Sequence, residues 1–180
     1  MAHSHVYAAD VTYKNGSSLE NVVGVMQSYG FVAFDTLATQ GHQHANALAK
    51  NLGNDYSSSL SSELNIRKTS GYSNPYTTTY IENFANLSGE VKIGTAGDTL
   101  VVGSSYEVTS EGTNSYYINE KDSTNKYKVD AASNVSADTE TEKFIDIDNL
   151  QQSFISYNKQ LAASNTNSGI TARNSQTYDV

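Results

Sequence analysis

The stretch Leu100-Val101-Val102-Gly103-Ser104-Ser105-Tyr106-Glu107-Val108 sets the pattern for the chain. Two short apolar islands flank a Gly-Ser-Ser turn, which suits short β-strands and leaves no room for a helix. Similar islands recur at Phe31–Leu37, Ala45–Leu52, Tyr80–Phe84, Val91–Ile93, Tyr116–Ile118, Tyr127–Val129 and Phe144–Ile145. Gly41, Gly53, Gly71, Gly89, Gly94, Gly97 and Gly112 punctuate them. Asn119–Lys128, with Asp122-Ser-Thr-Asn125 at its centre, reads as a hairpin tip. Strands this short and closely spaced suit a sandwich, a barrel or a β-solenoid. The chain carries no strict internal repeat, which speaks against a solenoid on pattern alone.

Two helices interrupt the series. Ser17 and Glu20 have the spacing of a capping box, and Leu19, Val22, Val23 and Met26 then form one apolar face. A longer helix is expected over about 147–163, with Asp148 as its cap. Ile147, Leu150, Phe154, Tyr157 and Leu161 make a narrow apolar stripe against a polar opposite face, so this helix should lie on a surface. Ile170-Thr-Ala-Arg173 looks like a strand beginning again.

Composition supports a folded, β-rich chain. Of 180 residues 37% are hydrophobic and 17% charged, both low for a globular protein, while Ser, Thr and Asn fill roughly a third. The 13 Tyr and the low charge argue against disorder. With 11 basic against 19 acidic residues and a net charge of −8, no cationic field exists for nucleic acid or an anionic membrane. The absence of Cys excludes disulfides, thiolate metal sites and cysteine nucleophiles. No apolar run is long enough to span a bilayer as a helix.

Candidate chemistry is sparse. His42 and His44 alternate as residues on one strand face do, and His3 and His5 could bring the imidazoles to four. No carboxylate or Cys lies at zinc-ligand spacing, so a turn beside a strand is the plainer account, and neither a metal nor a cofactor is expected. Asp146-Ile-Asp148-Asn149 lacks the glycine and distal Glu of a calcium loop. Gly94-Thr-Ala-Gly97 lacks the lysine of a phosphate-binding loop, no Gly-x-Ser-x-Gly elbow occurs, and the chain is not expected to be an enzyme. Tyr72-Ser-Asn-Pro-Tyr76-Thr77-Thr78-Thr79-Tyr80 offers more. Tyrosines among small polar residues give rigid flat faces with hydroxyls, a combination fitted to sugars or extended peptides. Equally, such a segment can simply cover a core.

Phe31-Val-Ala-Phe34 followed by Gly41-His42-Gln-His44-Ala45-Asn46 and Asn51-Leu52 resembles the choice-of-anchor A surface proteins of Gram-positive bacteria, which carry an ice-binding-like adhesive domain. Their pattern there is a hydrophobic strand, His-x-Asp-Gly-Asn-(Ile/Leu)-Ala, a polar pair and Asn-Leu. His42, Asn46, Asn51 and Leu52 match it, whereas His44 replaces Asp and Ala45 replaces Gly. Tyr80–Phe84, Thr99–Tyr106 and Phe144–Asp148 are similar too, so the resemblance runs from about Leu19 to Thr171 through short motifs. It implies a right-handed β-solenoid with the long helix packed along its side, and Asn and Thr stacked in hydrogen-bonded columns at coil corners. It further implies an N-terminal extension or edge strand at 1–16, and a single adhesive domain over 17–180 that is truncated or belongs to a longer stalked adhesin.

The function so implied is adhesion at the bacterial cell surface, outside the cell, to host glycans, mucin or matrix protein. Tyr72, Tyr76, Thr77, Thr79, His42, His44 and Asn46 are the candidate ligand contacts. Alternatives are ice binding, for which Thr77–Thr79 is too local a threonine array; a carbohydrate-active enzyme, for which clustered Asp with Lys or Arg is needed; and a passive stalk. Charge supplies a first prediction. At a pI near 4.8 the surface loses its net negative charge in acid. Binding to anionic mucin should therefore strengthen from about pH 7 to about pH 4; a flat or falling profile rejects the electrostatic basis.

Overall fold

The computed structural model describes residues 19–38, 41–42, 45–53, 62–64, 78–85, 90–93, 99–130, 132 and 134–165. In chain order these form α1 (Leu19–Ser28), β1 (Phe31–Ala38), β2 (Gly41–His42), β3 (Ala47–Gly53), β4 (Ser62–Leu64), β5 (Thr78–Ala85), β6 (Glu90–Ile93) and β7 (Thr99–Val102). β8 (Tyr106–Gly112), β9 (Ser115–Glu120), β10 (Lys126–Asp130), β11 (Asn134–Ala137) and α2 (Ile147–Asn165) follow. The expected extension at 1–16, the Ser17 cap and the strand at Ile170 lie outside the described residues.

Successive strands up to β7 go alternately to two sheets. One is five-stranded, in the order β1-β3-β5-β7-β11, with every neighbouring pair parallel. The other has the order β2-β4-β6-β10-β9-β8; it is parallel from β2 to β10 and antiparallel from β10 through β9 to β8.

This arrangement overturns the right-handed β-solenoid: the protein is mainly β, built of one parallel and one mixed sheet that do not curl into coils. The cause is the chain reversal after β8. Gly112 at φ 151° and Asn114 at φ 60° supply the left-handed backbone of a tight hairpin turn, and the turn at 121–125 reverses the chain again. The islands Tyr106–Val108, Tyr116–Ile118 and Tyr127–Val129 therefore pair with each other as a meander. β11 then returns to the five-stranded sheet. Short alternating islands satisfy either architecture, since each asks only for apolar side chains on one face.

The five-stranded sheet is buried on both faces, as parallel sheets generally are. Ala47, Ala49, Ile81, Leu100 and Val102 join a core with Tyr106, Ile118, Tyr127 and Val129 of the second sheet. Leu48, Tyr80 and Val101, one residue out of phase, join a second core with Val25 of α1 and Ile145, Ile147 and Leu150 at the start of α2. Burying each large aliphatic side chain contributes about 1.5–3 kcal/mol. Phe34 and Phe154 meet edge to face with centroids 5.0 Å apart and seat α2 on β1.

The strands bend together. Ala49 and Leu52, like Ile81 and Phe84, are three residues apart yet reach the same core, and β1 carries a bulge between Ala33 and Thr36. At the bend Asn51 donates to the Asp35 carbonyl (3.1 Å), and Asn83, its register partner, donates to the Lys50 carbonyl (3.3 Å). This is a short asparagine column across three parallel strands.

α2 corrects two further expectations. Asp146 is the cap, its Oδ1 accepting from Asn149 N at 3.1 Å, while Asp148 in the first turn pairs with Lys50 at 2.6 Å. The apolar stripe is buried only in its first half: Ile147 and Leu150 are in the core, whereas Leu161 is 43% exposed and residues 158–164 face solvent.

Gly103, buried after β7, donates its N–H to the Ile81 and Glu82 carbonyls, both at 3.2 Å. A Cβ there would lie 2.2 Å from the Glu82 carbonyl oxygen, so β7 or β5 must shift to admit one. Gly103→Ala should cost about 1–3 kcal/mol in urea unfolding; a variant as stable as wild type would show that the two strands do not approach this closely.

Candidate functional site

Because the five-stranded sheet is covered on both sides, the outer face of the second sheet remains, and its meander β8–β10 is the part whose side chains are described. Alternation decides which residues stand there. Tyr106, Val108, Tyr116, Ile118, Tyr127 and Val129 point into the core, so Glu107, Thr109, Tyr117, Asn119, Lys126 and Lys128 point outward. Register then places Tyr117 between Thr109 and Lys128, and Asn119 between Glu107 and Lys126.

Tyr117 is an aromatic plate set in a polar frame. The Lys126 ammonium lies 3.5 Å from its ring centroid, a cation–π contact that fixes the ring's orientation. Asn119 Nδ2 donates to Thr109 Oγ1 at 3.0 Å and more weakly to the Glu107 carbonyl at 3.4 Å, which holds β8 and β9 together on the outside. Lys126 also stands 4.0 Å from Glu111, a half-exposed pair of little energetic weight. The face thus offers an aromatic ring, amide and hydroxyl groups, and charges of both signs. Such groups bind by stacking and hydrogen bonding; none is placed as an activated nucleophile.

The inner side of the same strands is closely packed. Tyr106, Phe84 and Tyr127 form an aromatic cluster, with Phe84 and Tyr127 stacked at 5.0 Å. The Tyr106 hydroxyl oxygen accepts from Phe84 N at 2.8 Å. Burial raises the pKa of both Tyr106 and Tyr127, so each stays neutral across the physiological range.

The residues expected from sequence fall elsewhere. Asn46 is 3% exposed and is consumed by the fold: its Nδ2 donates to the Ser28 carbonyl (2.8 Å) and the Thr78 carbonyl (2.9 Å), and its Oδ1 accepts from Gly30 N (3.3 Å). Thr79 is fully buried, and its Oγ1 accepts from Ala47 N at 3.3 Å. A ligand could reach the polar atoms of either side chain only by displacing these bonds. His42 is on β2, opposite Glu63 in register. His44, Tyr72, Tyr76 and Thr77 lie outside the described residues, as do His3 and His5. Among the described residues no three His, Cys, Asp or Glu side chains gather as metal ligands, and no helix is long and apolar enough to cross a membrane.

Sequence reasoning passed over Tyr117, Asn119 and Thr109 because they sit within an island and a turn. The signal was the alternation in Ser115-Tyr-Tyr-Ile-Asn-Glu120, where adjacent tyrosines must face opposite ways. Comparison of the chain with protein-family models, with curated proteins and with solved structures gives no match.

Asn46 generates the next prediction. Asn46→Ala orphans the buried Ser28 carbonyl and the partly buried Thr78 carbonyl and should destabilise by about 2–3 kcal/mol, with glycan or matrix binding by the folded fraction unchanged. Loss of binding at unchanged stability would keep Asn46 in the ligand set.

Proposed function

We propose that this chain is a non-catalytic adhesive module of a bacterial surface protein, and that it grips host glycan or matrix ligands through the outer face of the meander. The observation that carries the proposal is Tyr117, a half-buried aromatic ring on the outward side of the meander, framed by Asn119, Thr109, Glu107, Lys126 and Lys128. A tyrosine on a strand presents its ring with little conformational freedom left to lose, which favours shallow binding to sugars or peptide chains. The motif resemblance at 31–52 supports the surface-protein setting, and the polar composition suits a module facing water. Chemistry of the acyl, phosphoryl or glycosyl-transfer kinds asks for convergent acids, bases or oxyanion donors, and the outer face offers dispersed groups instead.

A glycan and matrix-protein array tests this. The wild-type chain should bind a subset of ligands, and Tyr117→Ala should weaken that binding about three- to ten-fold, the worth of one aromatic contact, with thermal stability nearly unchanged. Wild-type protein that binds nothing would make the chain a passive stalk. Binding that survives the substitution intact would move the site off this face.

A further inference from the structure

Asp138 is a buried carboxylate that the adhesive face does not use. It follows β11 and continues the strand pairing, its N–H donating to the Val102 carbonyl at 2.8 Å. Its side chain is 9% exposed on the helix side of the five-stranded sheet. Oδ2 accepts from the hydroxyl of fully buried Tyr80 at 2.8 Å, and Oδ1 accepts from Phe144 N at 2.8 Å. These two bonds close the segment 139–143 into a loop and lay Phe144 against the Tyr80 ring, with centroids 5.8 Å apart. Ile145 and Ile147 follow directly into the core, so Asp138 fixes where α2 begins.

Both of its partners are neutral donors. The nearby charges are otherwise engaged: Lys143 pairs with Glu82 at 3.1 Å, Lys50 pairs with Asp148 at 2.6 Å, and Asp146 caps α2. The Lys143 charge is felt by Asp138 without a contact, while the negative charges of Glu82 and Asp146 act on Tyr80 and Lys143. A carboxylate in this position is hydrogen-bonded but desolvated without a contacting cation, an arrangement that favours its neutral form.

We propose that Asp138 is a proton-operated latch, which holds the segment 139–146 and the start of α2 to the five-stranded sheet more firmly when it is protonated. Tyr80 makes the device workable, because a phenol both donates and accepts. When Asp138 takes a proton the hydroxyl turns to accept it, and the 2.8 Å contact persists without the cost of a buried charge. Burial, the dominant cause, raises the Asp138 pKa above 3.8, against the opposing pull of the Phe144 and Tyr80 bonds and the Lys143 charge. The folded state therefore binds the proton more tightly than the unfolded chain does. Stability from this group is fully present below the unfolded pKa and is lost as pH rises through the folded one. Each unit of separation is about tenfold in the folding equilibrium.

The proposal is independent of which ligand the outer face takes. Its test is chemical denaturation of wild type and Asp138→Asn between about pH 4.5 and about pH 8, with carboxyl-carbon NMR titration of Asp138 in the wild-type protein. Wild type should gain stability on acidification beyond any gain in Asp138→Asn, which shares the rest of the surface charge, and the Asp138 midpoint should lie above the ordinary aspartate range. Tyr80→Phe, which removes a donor to the charged form, should move that midpoint higher still. A wild-type midpoint at or below about 3.9 overturns the latch, as do parallel stability profiles for wild type and Asp138→Asn. Should Asp138→Asn fail to fold, the wild-type titration decides alone.

Discussion

A parallel sheet has no solvent face to spare, and that constraint organises this molecule. β3, β5 and β7 carry apolar side chains in both phases, Leu48, Tyr80 and Val101 to one side and Ala49, Ile81 and Val102 to the other. Each side needs a cover. α1 and the first half of α2 supply one, and the second sheet supplies the other. Only the second sheet, antiparallel in its later half, can alternate apolar-in with polar-out, which is why a polar outward face falls there.

Such a sheet needs its register and ends defined, because apolar contacts alone tolerate slippage. Buried polar side chains do that work here. Asn46 ties the entry of β3 to the end of α1 and to β5, Thr79 ties β5 to β3, and Tyr80 with Asp138 ties β5 to the segment leading into α2. The Asn51–Asn83 column repeats the device where the strands bend. At these four positions Asn and Thr side chains serve the fold, as the expected polar columns do. On the meander the polar side chains face outward, while the inward-facing tyrosines of the same strands pack into the core.

The apolar islands were legible because alternation is a local property: those at Phe31–Leu37, Tyr80–Phe84, Leu100–Val102 and Tyr127–Val129 each coincide with a strand. Asn134-Val-Ser-Ala137 was not, since a strand with one buried side chain, Val135, leaves hardly any hydrophobic trace. Phe144–Ile145 was apolar for another reason, serving as the plug beneath α2. The way islands pair is non-local and depended on reversals at Gly112–Ser115 and 121–125, so the expected stacking of coils gave way to a meander. The same limit applied to the site: Asn46 and Thr79 carry polar groups suited to a ligand, but which way a side chain points follows from strand phase, and adjacent Tyr116 and Tyr117 differ in nothing else.

Amide hydrogen exchange followed by NMR tests the doubly covered sheet most directly. The account predicts that the amides of Leu48, Ala49, Tyr80, Ile81, Val101 and Val102 exchange slowest, opening only with global unfolding, while the outward amides of the β8–β9 hairpin exchange through local opening at much lower cost. Exchange from β3, β5 and β7 as fast as from the hairpin would mean that the sheet lacks one of its covers, and the arrangement described here would be wrong.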